Sequence, residues 1–148
     1  MPTKKKKSKF VTAERTQFEN QIQKLLKSKF SLVEKNYKVD WKNLFDRPTR
    51  VDYYCEDKNG NPLCIEVTWQ ASEGTADKKV VYFITQIKKC HKIPTILVIG
   101  GDGWGKGIKE WAIAQKKSKM FFGCYSTAEF FKILNTQSLF DDINQAIA

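Results

Sequence analysis

Apolar residues recur along this chain with two different periods. Over residues 12–27, Phe18, Ile22, Leu25 and Leu26 return at helical spacing, which predicts an amphipathic helix capped by Thr12. Residues 50–56 and 63–70 are rich in β-formers, and the turn-forming run Asp57-Lys-Asn-Gly-Asn-Pro separates them. Asn59-Gly60 is a strong hairpin signal, so the region reads as strand, turn, strand. Helical spacing returns over residues 76–92, with Val80, Phe83, Ile84 and Ile87 on one face. Residues 94–100 are short and wholly apolar, as a buried strand requires. A further helix is expected over 107–117 and a further strand over 120–125. Ser126-Thr-Ala-Glu is a capping box opening a helix that carries Phe130, Phe131 and Leu134. Residues 139–148 suggest one last short helix. Residues 29–50 mix aromatics and charges without a period and read as irregular, with at most one short strand.

This order of elements predicts an α/β fold: one central mixed β-sheet, antiparallel at the hairpin, flanked by helices on its faces. At 148 residues, with 41% hydrophobic and 13% aromatic side chains, the chain has the size and composition of one folded domain. Residues 12–148 are expected to form that domain, and residues 1–11 a mobile Lys-rich arm. No apolar run is long enough to span a bilayer, and the charged start leads into no apolar secretory segment. The expected location is the cytoplasm, with the nucleoid when DNA is bound. Cys55, Cys64, Cys90 and Cys124 lie far apart without a CxxC pair, and His91 is the only histidine. That spacing argues against structural zinc and for reduced, buried thiols acting as small apolar groups.

Charge narrows the partners. Lys and Arg total 26 against 16 Asp and Glu, a formal net charge of +10. Such an excess favours a polyanion, because phosphate contacts release counterions and speed association.

Two acids interrupt the hairpin strands where apolar residues are otherwise preferred. Asp52 lies in Val51-Asp52-Tyr53-Tyr54 and Glu66 in Cys64-Ile65-Glu66-Val67. Singly, each also reads as a solvent-facing strand residue. Together, on adjacent strands joined by a tight turn, they can meet at one end of the sheet. Two carboxylates sharing a site repel each other unless a cation neutralises them, and hard oxygen ligands suit Mg²⁺.

Asp52, the turn, and Ile65-Glu66-Val67-Thr68 resemble the D…(D/E)-x-K core of the PD-(D/E)XK nuclease superfamily. That superfamily includes most type II restriction enzymes, several DNA repair nucleases and a group of homing endonucleases. The resemblance extends through the element order over residues 14–126 and implies a restriction-endonuclease-like core. It implies Mg²⁺-dependent hydrolysis of phosphodiester bonds in double-stranded DNA, with Mn²⁺ as a substitute metal. In that reading Asp52, Glu66 and the carbonyl of Val67 bind the metal. The third motif position holds Thr68 where the family has lysine, so a basic group must come from elsewhere. Lys79 aligns with Phe83 and Ile87 on the next helix and is preferred over Lys78. Gln70, two residues beyond Thr68, is a further candidate. The family often adds a glutamate from its first helix, which makes Glu19 the candidate and Glu14 its competitor. Arg50 and the Lys-rich arm are candidate phosphate contacts. Homodimers or homotetramers are common among restriction and homing members, and no nucleotide cofactor is implied.

Gly100-Gly-Asp-Gly-Trp-Gly-Lys-Gly nearly matches the phosphate loop GxxxxGK[ST], with Gly105 and Lys106 in place. Gly107 follows, so the hydroxyl that holds Mg²⁺ is missing, and no later apolar strand ends in an aspartate. The run is read instead as a sharp turn presenting Trp104 or Lys106 to DNA. A non-catalytic DNA-binding module is the competing reading, since charge and aromatics alone would serve it.

Overall fold

The wholly apolar run ends up where its composition demands, as Thr95–Gly100, buried at every position in the middle of the sheet's parallel half. The computed structural model describes residues 2–69, 76–101, 106–116 and 120–135, apart from the side chains of 2–12, 76, 77 and 106. In chain order the elements are α1 (Pro2–Lys29), β1 (Leu32–Lys42), β2 (Pro48–Glu56), β3 (Pro62–Trp69), α2 (Ala76–Cys90), β4 (Thr95–Gly100), α3 (Lys106–Ala114), β5 (Phe121–Ser126) and α4 (Thr127–Leu134). The strands lie side by side in the order β1-β2-β3-β4-β5. The first two pairings are antiparallel and the last two parallel, with α2 and α3 as the crossover helices. The expected α/β fold with a mixed sheet and flanking helices is therefore the observed one.

Alternation along β4 divides the core into two layers. Ile96 and Val98 meet Phe18, Ile22 and Leu26 of α1 with Phe130 and Leu134 of α4. Leu97 and Ile99 meet Val80, Ile84 and Ile87 of α2 with Ala112 of α3. The expected capping box is present: Glu129 N–H donates to Ser126 Oγ at 3.2 Å, and Ser126 N–H to Glu129 Oε1 at 3.1 Å. Cys55, Cys64 and Cys124 are free and buried, as small apolar groups should be. Among the described residues, no helix is long and apolar enough to cross a membrane.

Three features differ from expectation. The backbone is helical from Pro2, so Thr12 lies inside α1 rather than at its cap, and the expected arm forms the helix's first turns. Lysine is a good helix former and proline suits a first helical position, so residues 2–11 hold nothing that stops the helix. The hairpin turn is also longer than two residues. Asp57 organises it, accepting the amides of Asn59 at 2.8 Å and Asn61 at 2.9 Å, while Gly60 adopts a φ of +80°.

The third difference is β1 itself, an 11-residue strand where irregular chain was expected. Asn36 explains why its pattern was hidden. With a φ of +54°, Asn36 turns the strand over in mid-course. Before it, Val33 packs on the α1 side of the sheet; after it, Val39 and Trp41 pack with Val51 and Cys64 on the other side. A face switch of this kind erases any simple alternation. Position 36 lies opposite Asp52, since Lys35 pairs with Tyr53 and Tyr37 with Val51. The partner strand switches there too: Tyr53 faces α1, whereas Val51 joins Cys64 and Trp41.

Gly100 closes β4 against α1 and the end of β3. A Cβ there would fall 2.8 Å from both Phe18 Cε1 and Trp69 Cε3. Close ring packing accounts for this glycine without any phosphate. Gly100→Ala is expected to destabilise the fold by about 1–3 kcal/mol, the usual cost of overpacking, read as a lower urea midpoint at unchanged slope. An unchanged midpoint would show that the two rings can move apart.

Candidate active site

The site forms where β2 and β3 part company. Their antiparallel pairing runs from Glu56↔Pro62 to Tyr53↔Ile65 and stops there, while the parallel pairing of β3 with β4 on its other edge runs on from Cys64 to Trp69. At the next step Asp52 and Glu66 face each other, and the backbone ladder gives way to side chains. Asp52 N–H donates to Glu66 Oε1 at 3.0 Å, and Val67 N–H donates to Asp52 Oδ2 at 2.8 Å. Each acid thus caps an amide at the fork, which fixes both carboxylates without tying up their second oxygens. Local sequence explains the placement: the turn at residues 57–61 sets the register that makes 52 and 66 opposite.

Electrostatics make this arrangement costly in isolation. Glu66 is 8% exposed. Burial raises its pKa to about 8, the neighbouring Asp52 contributing to the rise, and the Asp52 amide opposes the shift. Asp52 is likewise raised by burial, against the Val67 amide, and Glu19 adds to the rise. Arg15 and Lys35 pull it back down. Two desolvated carboxylates that repel each other, each with an oxygen to give, fit a divalent cation. Among the described residues no group of three or more His, Cys, Asp or Glu is clustered to hold a metal. Among the described residues, Asp52 and Glu66 are the two side chains that stand together as candidate ligands.

The remaining candidates fall into several groups. Glu19 lies on the Asp52 side of α1, bridged to Arg15 at 3.1 Å, so its charge reaches Asp52 without joining the pair as a cluster. Glu14 lies elsewhere, lining a cleft of about 500 Å³ with Gln17, Gln21, Trp69, Gly101 and Thr127. Arg50 is exposed and donates to the Asn36 carbonyl at 2.9 Å. Lys79 does not point toward the sheet: the buried stripe of α2 is Val80, Ile84 and Ile87, and Lys78 and Lys79 are both exposed. One residue of offset on a helix is about 100° of rotation, enough to move Lys79 off the stripe. Gln70 and Trp104 lie outside the described residues, as does the side chain of Lys106 and the expected helix over 139–148. Thr68, at the motif's third position, is 7% exposed.

Sequence reasoning passed over Arg15 and Lys35. The spacing of Arg15 four residues before Glu19 was a usable signal for the first. Lys35 gave none, because only the pairing of β1 with β2 brings it beside Asp52.

A mixed sheet forked around two opposed carboxylates, with helices on both faces, is consistent with the restriction-endonuclease-like core that the motif implies. A family profile described as PD-(D/E)XK nuclease superfamily domain matches residues 5–143, and the chain belongs to that superfamily. No curated protein matches it. Among solved structures it is similar to a repair endonuclease from Pyrococcus abyssi, at 13% identity and a TM-score of 0.41. That match covers 78% of this chain and 45% of the other, so the chain spans less than half the length of that enzyme.

Proposed function

We propose that this protein is a metal-dependent endonuclease that hydrolyses phosphodiester bonds of double-stranded DNA at specific sites, in the manner of a restriction or homing enzyme. The observation that carries the proposal is the meeting of Asp52 and Glu66 at the fork between β2 and β3, where Glu66 accepts the Asp52 amide and Asp52 accepts the Val67 amide. Membership in a nuclease superfamily supports the same reading. Asp52, Glu66 and the Val67 carbonyl hold Mg²⁺, for which Mn²⁺ substitutes. When bound, the metal supplies a Lewis acid and a water of lowered pKa beside the phosphate. The chain's own part is to hold both carboxyl groups in place through the amides of Asp52 and Val67, and a bound cation would favour their ionised forms against the burial that raises their pKa values. Arg50 and the exposed lysines of α1 bind backbone phosphates, consistent with the net charge of +10. Two copies, as a homodimer or within a homotetramer, cut the two strands, and the protein works in the cytoplasm on nucleoid DNA.

The test is cleavage of a long, mixed-sequence DNA such as a phage genome, with Mg²⁺, Mn²⁺ or EDTA. Cutting into discrete fragments is expected with either metal and none with EDTA, and Glu66→Ala is expected to abolish it. Cutting that survives in EDTA or in Glu66→Ala would remove Glu66 and the metal from the mechanism. Tight DNA binding with no cutting of any substrate would instead identify a binding module.

A further inference from the structure

The family's lysine position holds Thr68, which is buried, so the charge that this motif lacks must come from another element. We propose that Lys35 of β1 is that residue, a catalytic cation set beside Asp52 to meet the substrate phosphate. The proposal rests on the nuclease reading above and names a residue of the same site.

Three observations place Lys35 there. It pairs with Tyr53, the residue next to Asp52. It lies on the α1 side of the sheet, because the φ of +54° at Asn36 delays the turn-over of β1 until after residue 35. It is also exposed, and among the described residues it forms no ion pair. The field of Lys35 on the Asp52 carboxylate agrees with this placement.

Among the described residues, Arg15 is the other cation whose field lowers the Asp52 carboxyl, and it already holds a partner. Arg15 is bridged to Glu19 at 3.1 Å, and Arg50 donates to the Asn36 carbonyl at 2.9 Å. Lys78 and Lys79 stand exposed at the start of α2, off its buried stripe. Of the two described cations that act on the Asp52 carboxylate, Arg15 and Lys35, Lys35 is the one with no ion-pair partner. An ammonium there can neutralise charge building on the phosphate and orient the attacking water.

The experiment measures Mn²⁺ affinity by calorimetry and DNA cleavage at saturating Mn²⁺ for wild type, Lys35→Met, Lys35→Arg and Lys89→Met. Lys35→Met is expected to bind Mn²⁺ roughly three- to tenfold more tightly, because a positive neighbour of the metal is gone. It is expected to cut at least about a hundredfold more slowly, the usual scale for a lost catalytic group. Lys35→Arg should recover part of the rate, and Lys89→Met, at the far end of α2, should match wild type in both. A purely structural role for Lys35 would not tighten metal binding. Unchanged Mn²⁺ affinity, or cleavage within threefold of wild type, overturns the assignment. So does loss of cutting in Lys78→Met/Lys79→Met while Lys35→Met still cuts. If wild type binds Mn²⁺ but cuts none of the DNA offered, the affinity of Lys35→Met decides alone. If wild type binds no Mn²⁺ at all, the nuclease reading falls first and Lys35 with it.

Discussion

Asp52→Asn is expected to slow DNA cleavage by on the order of a thousandfold or more while DNA binding stays the same or tightens. The substitution keeps the shape of the side chain, and its carbonyl can still accept the Val67 amide now bonded to Oδ2 at 2.8 Å. What disappears is one negative charge. A divalent cation loses half of its carboxylate ligands, so the loss falls on the chemical step. DNA, by contrast, approaches a surface that has become less negative, and its association constant should rise at low salt. The two effects move in opposite directions, which a misfolded variant cannot imitate. Gel-shift titration and single-turnover cleavage on the same preparation would read both. Weaker DNA binding in Asp52→Asn would place Asp52 in a structural or DNA-contact role instead.

The largest stability effect is expected from the same pair and depends on pH. Burial holds both carboxyl groups above their ordinary values in the folded chain, with Asp52 adding to the rise at Glu66 and Glu19 to the rise at Asp52. Over the interval between unfolded and folded values, the folded state therefore binds more protons than the unfolded one. Stability from Glu66 is fully present below its ordinary value of 4.5 and is lost as pH rises through about 8. The loss in metal-free protein amounts to a few kcal/mol, since each tenfold change in proton affinity is worth roughly 1.4 kcal/mol. His91 acts in the opposite sense. Buried against Thr95, with its pKa lowered to about 4, it costs stability as pH falls below 6.5. The clean measurement is accordingly the difference in Tm between wild type and Glu66→Gln from pH 5 to pH 8. Glu66→Gln should gain on wild type steadily across that range in EDTA, and Mn²⁺ should close the gap by stabilising only wild type. A constant difference in Tm would mean that Glu66 is not strained at the fork.

Much of this could be read from the residues alone, and the exceptions have physical causes. The turn at 57–61 and the β-rich runs beside it determine the register, so the meeting of Asp52 and Glu66 was legible. The capping box at Ser126 and the apolar run before Gly100 were legible for the same reason: the signals are local. β1 was not, because it is an edge strand with most side chains exposed and a face switch at Asn36. Lys79 was misdirected by one position on α2, since Phe83 and Ile87 suggested a stripe that in fact runs through Val80, Ile84 and Ile87. Arg15 and Lys35 reach Asp52 from separate elements, and no short motif records a contact between distant segments.

The left-handed residue in β1 has a consequence for the chain's behaviour in a crowded solution. β1 forms one outer border of the sheet, and an outer border offers free amide and carbonyl groups to any passing extended segment. A flat, apolar border of 11 residues would be a template for aggregation. This border is kinked at Asn36 and carries Glu34, Lys35, Lys38, Asp40 and Lys42, all exposed. Removing the kink and the charges together would turn a guarded rim into a sticky one.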